Sequence, residues 1–164
     1  MDKLFTIDVS PLRAKLRAVQ SAAAKRAAAR SGANAAVQQV GLAFRTEGAH
    51  YGAKWAPRAA STVKALSARK RKKNGKLGKA RTPKPILRDT GTLMKSFFVA
   101  DGGGDSFAVA TPVRYAKYHE AGTSKMPARP VMPFDQEGNP RSPAVEAAVV
   151  RAMENMAKSV LRVK

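Results

Sequence analysis

The chain opens with an alternating pattern. In Leu4–Val9, Phe5, Ile7 and Val9 alternate with Leu4, Thr6 and Asp8, a period of two that predicts a short strand. Ser10-Pro11 follows, an N-cap residue and then proline at the first helical position. Leu12, Leu16, Val19 and Ala23 recur at three- and four-residue steps, which draws one apolar stripe on a helix. Alanine-rich sequence carries that helix to about Arg30, and Ser31-Gly32 predicts a break or kink. A second helix is expected from about Ala33 to Thr46, burying Val37, Val40 and Phe44.

Glu47 to Pro57 reads as loop, punctuated by Gly48, Gly52 and Pro57. Trp55, the single tryptophan, is expected to anchor the core or its edge, because an indole carries so much apolar surface. A short helix is expected over Ala60–Arg71, with Ser61 or Thr62 as its cap. Order is expected to resume at Ile86, with Asp89 or Thr90 capping a short helix that bears Leu93, Met94 and Phe97. Phe97–Ala100 and Ser106–Thr111 read as two strands joined by the loop Asp101–Asp105, with Phe107 and Val109 on one face. Pro112 opens a helical turn or two through Tyr115, Tyr118 and His119, stopped at Gly122. Prolines 127, 130 and 133 push Met126, Arg129 and Met132 toward extended backbone, so that segment is an edge strand or irregular. Ser142-Pro143 starts a final helix with the stripe Val145, Val149, Ala152, Met153, Met156 and Val160. Glu154 stands four residues before Lys158, a favourable pair on that helix.

Composition changes this picture in three ways. The 164 residues fit one domain, 1–164, but much of the apolar content is alanine. Such a core buries little area per residue, so neighbouring subunits are expected to supply part of the stability. There is no cysteine, which removes disulfides and thiolate metal sites and suits assembly in a reducing cytoplasm. No run of about 18 apolar residues crosses a membrane, and the start lacks the basic and apolar regions of a secretory signal.

Charge matters most. The formal net charge is +20, enough to attract nucleic acid, an anionic membrane or an acidic partner. Lys64 to Arg88 holds eleven of the 31 basic residues. Its centre, Ala68–Pro85, has no acidic residue and few large apolar ones, and is expected to be an extended or mobile loop. The candidate contacts to DNA or an acidic partner are Arg69, Lys70, Arg71, Lys72, Lys73, Lys76, Lys79, Arg81 and Lys84. Without interleaved aromatics they suit phosphate neutralisation, independent of base sequence and strongly salt-dependent. The plain alternative is a solvated loop with no specific role.

Candidate chemistry is thin. His119-Glu120 suggests a metalloprotease, but the second histidine of HExxH falls at Thr123, and the other histidine, His50, lies in a different loop. Asn74–Lys79 is not a phosphate-binding loop, since G-x-x-x-x-G-K-[ST] is absent. Asp101–Asp105 offers two aspartates where calcium wants six to eight oxygens, which favours a plain hairpin loop. The eleven acidic residues are scattered and present no evident carboxylate pair. No catalytic, metal or cofactor residue is assigned, and no cofactor is expected.

Read in order, several blocks resemble the phage virion morphogenesis family. This family includes tail-completion proteins of P2-like phages, the morphogenesis protein of Mu-like phages and siphophage head–tail joining proteins. The carrying residues are Trp55, Pro57 and Thr62, then a basic stretch, then Leu87, Asp89, Thr90, Gly91, Leu93 and Ser96. Tyr115, Ala116, His119 and Gly122 follow, and then Met126-Pro127-Ala128-Arg129-Pro130. The resemblance covers about Phe44 to Phe134. The chain departs from the family pattern after Pro130, where Val131-Met132-Pro133-Phe134 replaces an aromatic or leucine with glycine. The resemblance implies an α+β subunit, with a small mainly antiparallel sheet packed by N-terminal and C-terminal helices. It also implies a ring of six subunits at the neck of the virion. Its partners there are further copies of itself, a head-side connector, a tail terminator or tail tube, and genomic DNA in the lumen, with no membrane and no catalysis. Trp55, Pro57, Thr62, Leu87, Gly91, Leu93, Tyr115, His119, Gly122, Pro127, Arg129 and Pro130 are then framework or interface residues. Two other classes stay open: a small nucleoid-type DNA-binding protein, and a metal-dependent hydrolase resting only on His119 and Glu120.

Overall fold

A computed structural model describes residues 21–68 and 84–162. The expected strand Leu4–Val9, the Ser10-Pro11 helix start and eight of the nine basic contacts, Arg69 to Arg81, lie outside the described residues.

The first described helix, α1, spans Ala22–Arg45. Ser21 stands in extended conformation before it, and its hydroxyl accepts from the Ala24 amide at 3.2 Å. Of the helix expected from Leu12 through Arg30, Leu12 to Gln20 lie outside the described residues, and the described part starts at Ala22 behind the Ser21 cap. The break expected at Ser31-Gly32 does not occur, and one helix continues through both residues. The reason is tertiary. Gly32 is buried where the final helix crosses, and a Cβ built there would meet Met153 Cγ at 2.8 Å. Ser31 Oγ donates to the Ala152 carbonyl at 3.1 Å, tying the same crossing.

Past α1 the chain turns through a short 3₁₀ segment, Ala49–Tyr51, and then α2, Ala60–Ser67. This second helix ends four residues before the expected Arg71, and Ala68 is extended. Its N-cap is Ala59, so Ser61 and Thr62 lie inside the helix and do not cap it. The one-turn helix α3, Thr92–Lys95, is preceded by Gly91, not by the expected Asp89 or Thr90 cap. The Thr90 hydroxyl still accepts from the Thr92 amide at 3.3 Å, while Asp89 pairs with Lys84 at 3.3 Å.

Strands β1, Phe98–Asp101, and β2, Phe107–Ala110, form an antiparallel hairpin with Phe98 opposite Ala110 and Asp101 opposite Phe107. Alternation sorts its faces. Phe107 and Val109 lie on the side of α1, where the Arg26 guanidinium covers the Phe107 ring at 5.1 Å and pairs with Asp101. Phe98 projects from the other face and is 49% exposed. Helix α4, Ala116–Ala121, ends at Gly122 as expected. The proline segment 127–133 is irregular, flanked by the isolated bridges Thr123–Met126 and Phe134–Pro140.

The last helix, α5, spans Pro143–Arg162 and lies along α1. Of its expected apolar stripe, only Val145 is wholly buried, and Met153 stays exposed. The facing side of α1 is made of alanine and glycine, too shallow to enclose long side chains. The Glu154–Lys158 pair forms at 3.8 Å. The main core lies at the other end of α1, where Val40, Ala43 and Phe44 meet Trp55, Leu93, Phe97 and Val131. Phe44 sits edge-on to Trp55 at 5.4 Å and tilted to Phe97 at 6.2 Å. Such pairs add roughly 0.5–1.5 kcal/mol each beyond area burial. Three aromatic rings thus compensate for the small size of the alanines. Among the described residues the architecture is α+β, a two-stranded antiparallel sheet flanked by N-terminal and C-terminal helices.

Candidate functional site: a braced proline segment

Three prolines deprive the segment 127–133 of amide donors, so it cannot hold itself through a sheet ladder. Side chains from distant parts of the chain hold it instead. Trp55 Nε1 donates to the Pro130 carbonyl at 2.8 Å, and the Tyr51 hydroxyl donates to the Val131 carbonyl at 3.2 Å. Glu120 Oε2 accepts from the amides of Val131 at 2.7 Å and Met132 at 3.0 Å. The other oxygen of Glu120 pairs with Arg141 at 2.5 Å, and Arg141 Nε donates to the Met132 carbonyl at 3.1 Å. Burial, and then the Glu120 charge, push the Tyr51 phenol well above its ordinary value, so it stays a donor.

Arg129 ties the segment to the loop after Trp55. Its side chain is buried, with Nε donating to the Ala56 carbonyl at 2.9 Å and a terminal nitrogen to the Pro57 carbonyl at 3.0 Å. Its own amide donates to the His119 carbonyl at 2.6 Å. A buried cation of this kind is held by fixed carbonyl dipoles, and the planar fork of arginine fits two of them at once. Gly122 closes the turn between α4 and this segment. Its φ is +75°, and a Cβ there would stand 2.7 Å from the Ala128 amide nitrogen.

Beside the brace lies a cleft of about 220 Å³ lined by Arg58, Leu87, Asp89, Gly91, Leu93, Tyr115 and His119. Arg58 donates to the carbonyls of Lys84 and Pro85 at 2.6 and 2.9 Å, which closes one end. Tyr115 meets His119 edge-on at 5.9 Å. His119 Nδ1 is buried and has no hydrogen-bond partner among the described residues. Burial, and then the Arg129 charge, lower the His119 pKa below its ordinary value of 6.5.

Sequence-predicted residues therefore fall into three groups. Trp55, Pro57, His119, Gly122, Arg129 and Pro130 meet in the brace, and Leu87, Gly91, Leu93, Tyr115 and His119 meet at the cleft. Thr62 and Pro127 are exposed and belong to neither. Lys84 reaches the rim of the cleft through Arg58 and Asp89. Reading the sequence missed Tyr51, Arg58 and Arg141, which carry no motif, and considered Glu120 only as a metal-site residue. Both Glu120 oxygens are engaged by amides and a guanidinium, so this carboxylate serves as an anchor for backbone. Among the described residues no group of three or more histidine, aspartate or glutamate side chains gathers to hold a metal ion.

Comparison with known families is decisive on one point. The profile of the phage virion morphogenesis family matches residues 7–151. The chain belongs to that family. No curated protein and no solved structure matches it. Membership in the phage virion morphogenesis family makes this a virion-associated protein with a phage structural and assembly role. The match extends past both ends of the Phe44–Phe134 resemblance, so it takes in α1 and the start of α5.

Proposed function

We infer that this protein forms a ring at the head–tail junction, where it completes the tail or joins it to the capsid connector around the DNA channel. The observation that carries this reading is the brace itself. The family's motif residues are used to fix a proline segment and a surface cleft in place, as a contact surface requires, and not to gather reactive groups. Rigid presentation lowers the ordering cost of association. Large exposed apolar side chains, Phe98, Tyr115 and Tyr118, supply area for contacts between subunits. The net charge of +20 favours a position beside packaged DNA, with Arg69, Lys70, Arg71, Lys72, Lys73, Lys76, Lys79, Arg81 and Lys84 neutralising phosphate. Six copies, a head-side connector and a tail terminator or tube complete this reading, and no catalytic step belongs to it.

Deleting the gene from the phage tests the proposal. DNA-filled heads and finished tails are expected to accumulate unjoined, and supplying the protein in trans joins them. Normal virions from the deletion strain overturn the reading. The charge alone also favours a second reading, a nucleoid-type DNA-binding protein. That reading predicts strong DNA affinity of the free subunit at low salt, falling steeply as salt rises. A gel-shift series that shows no binding at low salt removes it.

A further inference from the structure

The tip of the hairpin and the cleft beside the brace lie toward opposite ends of α1. Arg26, early in α1, is bonded to Asp101 and to the Gly104 carbonyl at the tip. Phe44, near the end of α1, shares the core with Leu93, which lines the cleft. Positions 26 to 44 of a helix span roughly 27 Å, so the tip does not meet the cleft of its own chain. The two places differ in charge. Arg58 lines the cleft, and Lys95, exposed and without an ion pair among the described residues, brings its Cε to 3.9 Å from where a Cβ of Gly91 would stand. The carboxylate in the cleft, Asp89, is already paired with Lys84. Arg58 gives one donor to each of two carbonyls and keeps the other N–H groups of its fork. His119, in the same wall, leaves Nδ1 unpartnered. At the tip, residues 101–106 are all exposed, and glycines 102–104 keep it slender. Arg26 and Arg30 stand behind it on α1 and face Asp101. Asp105 has no hydrogen-bond or ion-pair partner among the described residues, so it is the charge that the tip presents.

We propose that the hairpin tip of one copy of this chain enters the cleft of the next copy, where Arg58 and Lys95 receive the Asp105 carboxylate. This inference rests on the ring reading and names a contact within it. A knob at one end of the subunit and a hole at the other make a heterologous contact, the kind that repeats head to tail and closes into a ring. A self-complementary patch pairs two copies and stops there. Size agrees with charge. A cleft of about 220 Å³ admits a short carboxylate with glycine beside it. Tyr115, exposed at the cleft, offers a ring face to the incoming backbone. So small a contact does not carry the affinity of the assembly. It decides which faces meet and in what register, as complementary charges do at interfaces.

A charge swap on the full chain tests the contact, read by sedimentation velocity across protein concentration. Asp105→Lys alone and Lys95→Asp alone are each expected to raise the midpoint concentration for assembly about tenfold, and the double variant is expected to recover most of that loss. Both positions are exposed, so the subunit itself is expected to melt as the parent does. The chain contains no cysteine, which allows a second test by mixing two single-cysteine proteins. Asp105→Cys mixed with Thr92→Cys, an exposed position in the cleft, is expected to form a disulfide between chains under mild oxidation. Neither protein alone is expected to cross-link. Rings that form equally well in the parent and both single charge variants, or cross-linking as strong in either cysteine variant alone as in the mixture, overturn this contact and leave the ring reading standing. A parent chain that stays monomeric at every concentration overturns both.

Discussion

Arg129 shows how a cation can sit inside a small protein whose charge is already strongly positive. It has no carboxylate partner among the described residues, and two carbonyls receive its protons. A lysine at this position keeps the charge but loses the fork. Arg129→Lys is expected to leave at least one buried carbonyl unpaired and to lower stability by about 2 kcal/mol, measured by urea denaturation. His119 gives a pH dependence whose sign follows from its lowered pKa. The folded chain takes up the proton at lower pH than the unfolded chain does. Its contribution is therefore complete above the ordinary value of 6.5 and is lost as pH falls below it. The melting temperature is expected to drop between pH 7 and pH 5, and His119→Gln is expected to flatten that drop. Gly122→Ala combines a left-handed backbone with a close approach to Ala128. It is expected to cost about 1–3 kcal/mol in the same denaturation assay.

At the scale of elements, the crossing of α1 and α5 depends on Gly32. In Gly32→Ala, a gain in helix propensity of roughly 1 kcal/mol opposes the shift forced on the flexible Met153 side chain. That variant is expected to remain within about 1 kcal/mol of the parent. Gly32→Leu cannot fit against α5 and is expected to cost about 1–3 kcal/mol and lower the melting temperature. Gly32 also marks where sequence reading reached its limit. The same residue type breaks a helix or lets two helices approach, and only the position of α5 decides between them. The hairpin, α4 with its stop at Gly122, the proline segment and the start of α5 were all legible, because local chemistry dictates each one. Ser21 was not legible as a cap, since the alanine-rich stripe runs across it without a change in pattern. The brace was half legible. Trp55 and Arg129 stand in recognisable blocks, but Tyr51, Glu120 and Arg141 act through contacts between remote positions that no local spacing encodes.

The molecule as a whole combines a small aromatic core with a charge of +20. Much of that charge stands in Lys64–Lys84, which in sequence separates the loop carrying Trp55 from the cleft residues Leu87 to Leu93. If this stretch neutralises phosphate, replacing Arg69 to Lys73 with glutamines is expected to reduce the slope of log affinity against log salt by about four to five units. A filter-binding series on duplex DNA measures this, and an unchanged slope counts against phosphate neutralisation by this stretch.

The brace also sets an order of events during synthesis. Trp55 is made 75 positions before the carbonyl that its indole engages. At ~5–20 residues per second, a ribosome takes roughly 4–15 seconds to deliver Pro130 after Trp55. Throughout that time Phe44 and Trp55 lack the Val131 wall of their core, and a large apolar surface is open to chaperones or to other nascent chains. The nascent chain is therefore most vulnerable before the proline segment emerges. Slowing elongation between codons 60 and 130 is expected to lower the soluble yield without altering the finished protein.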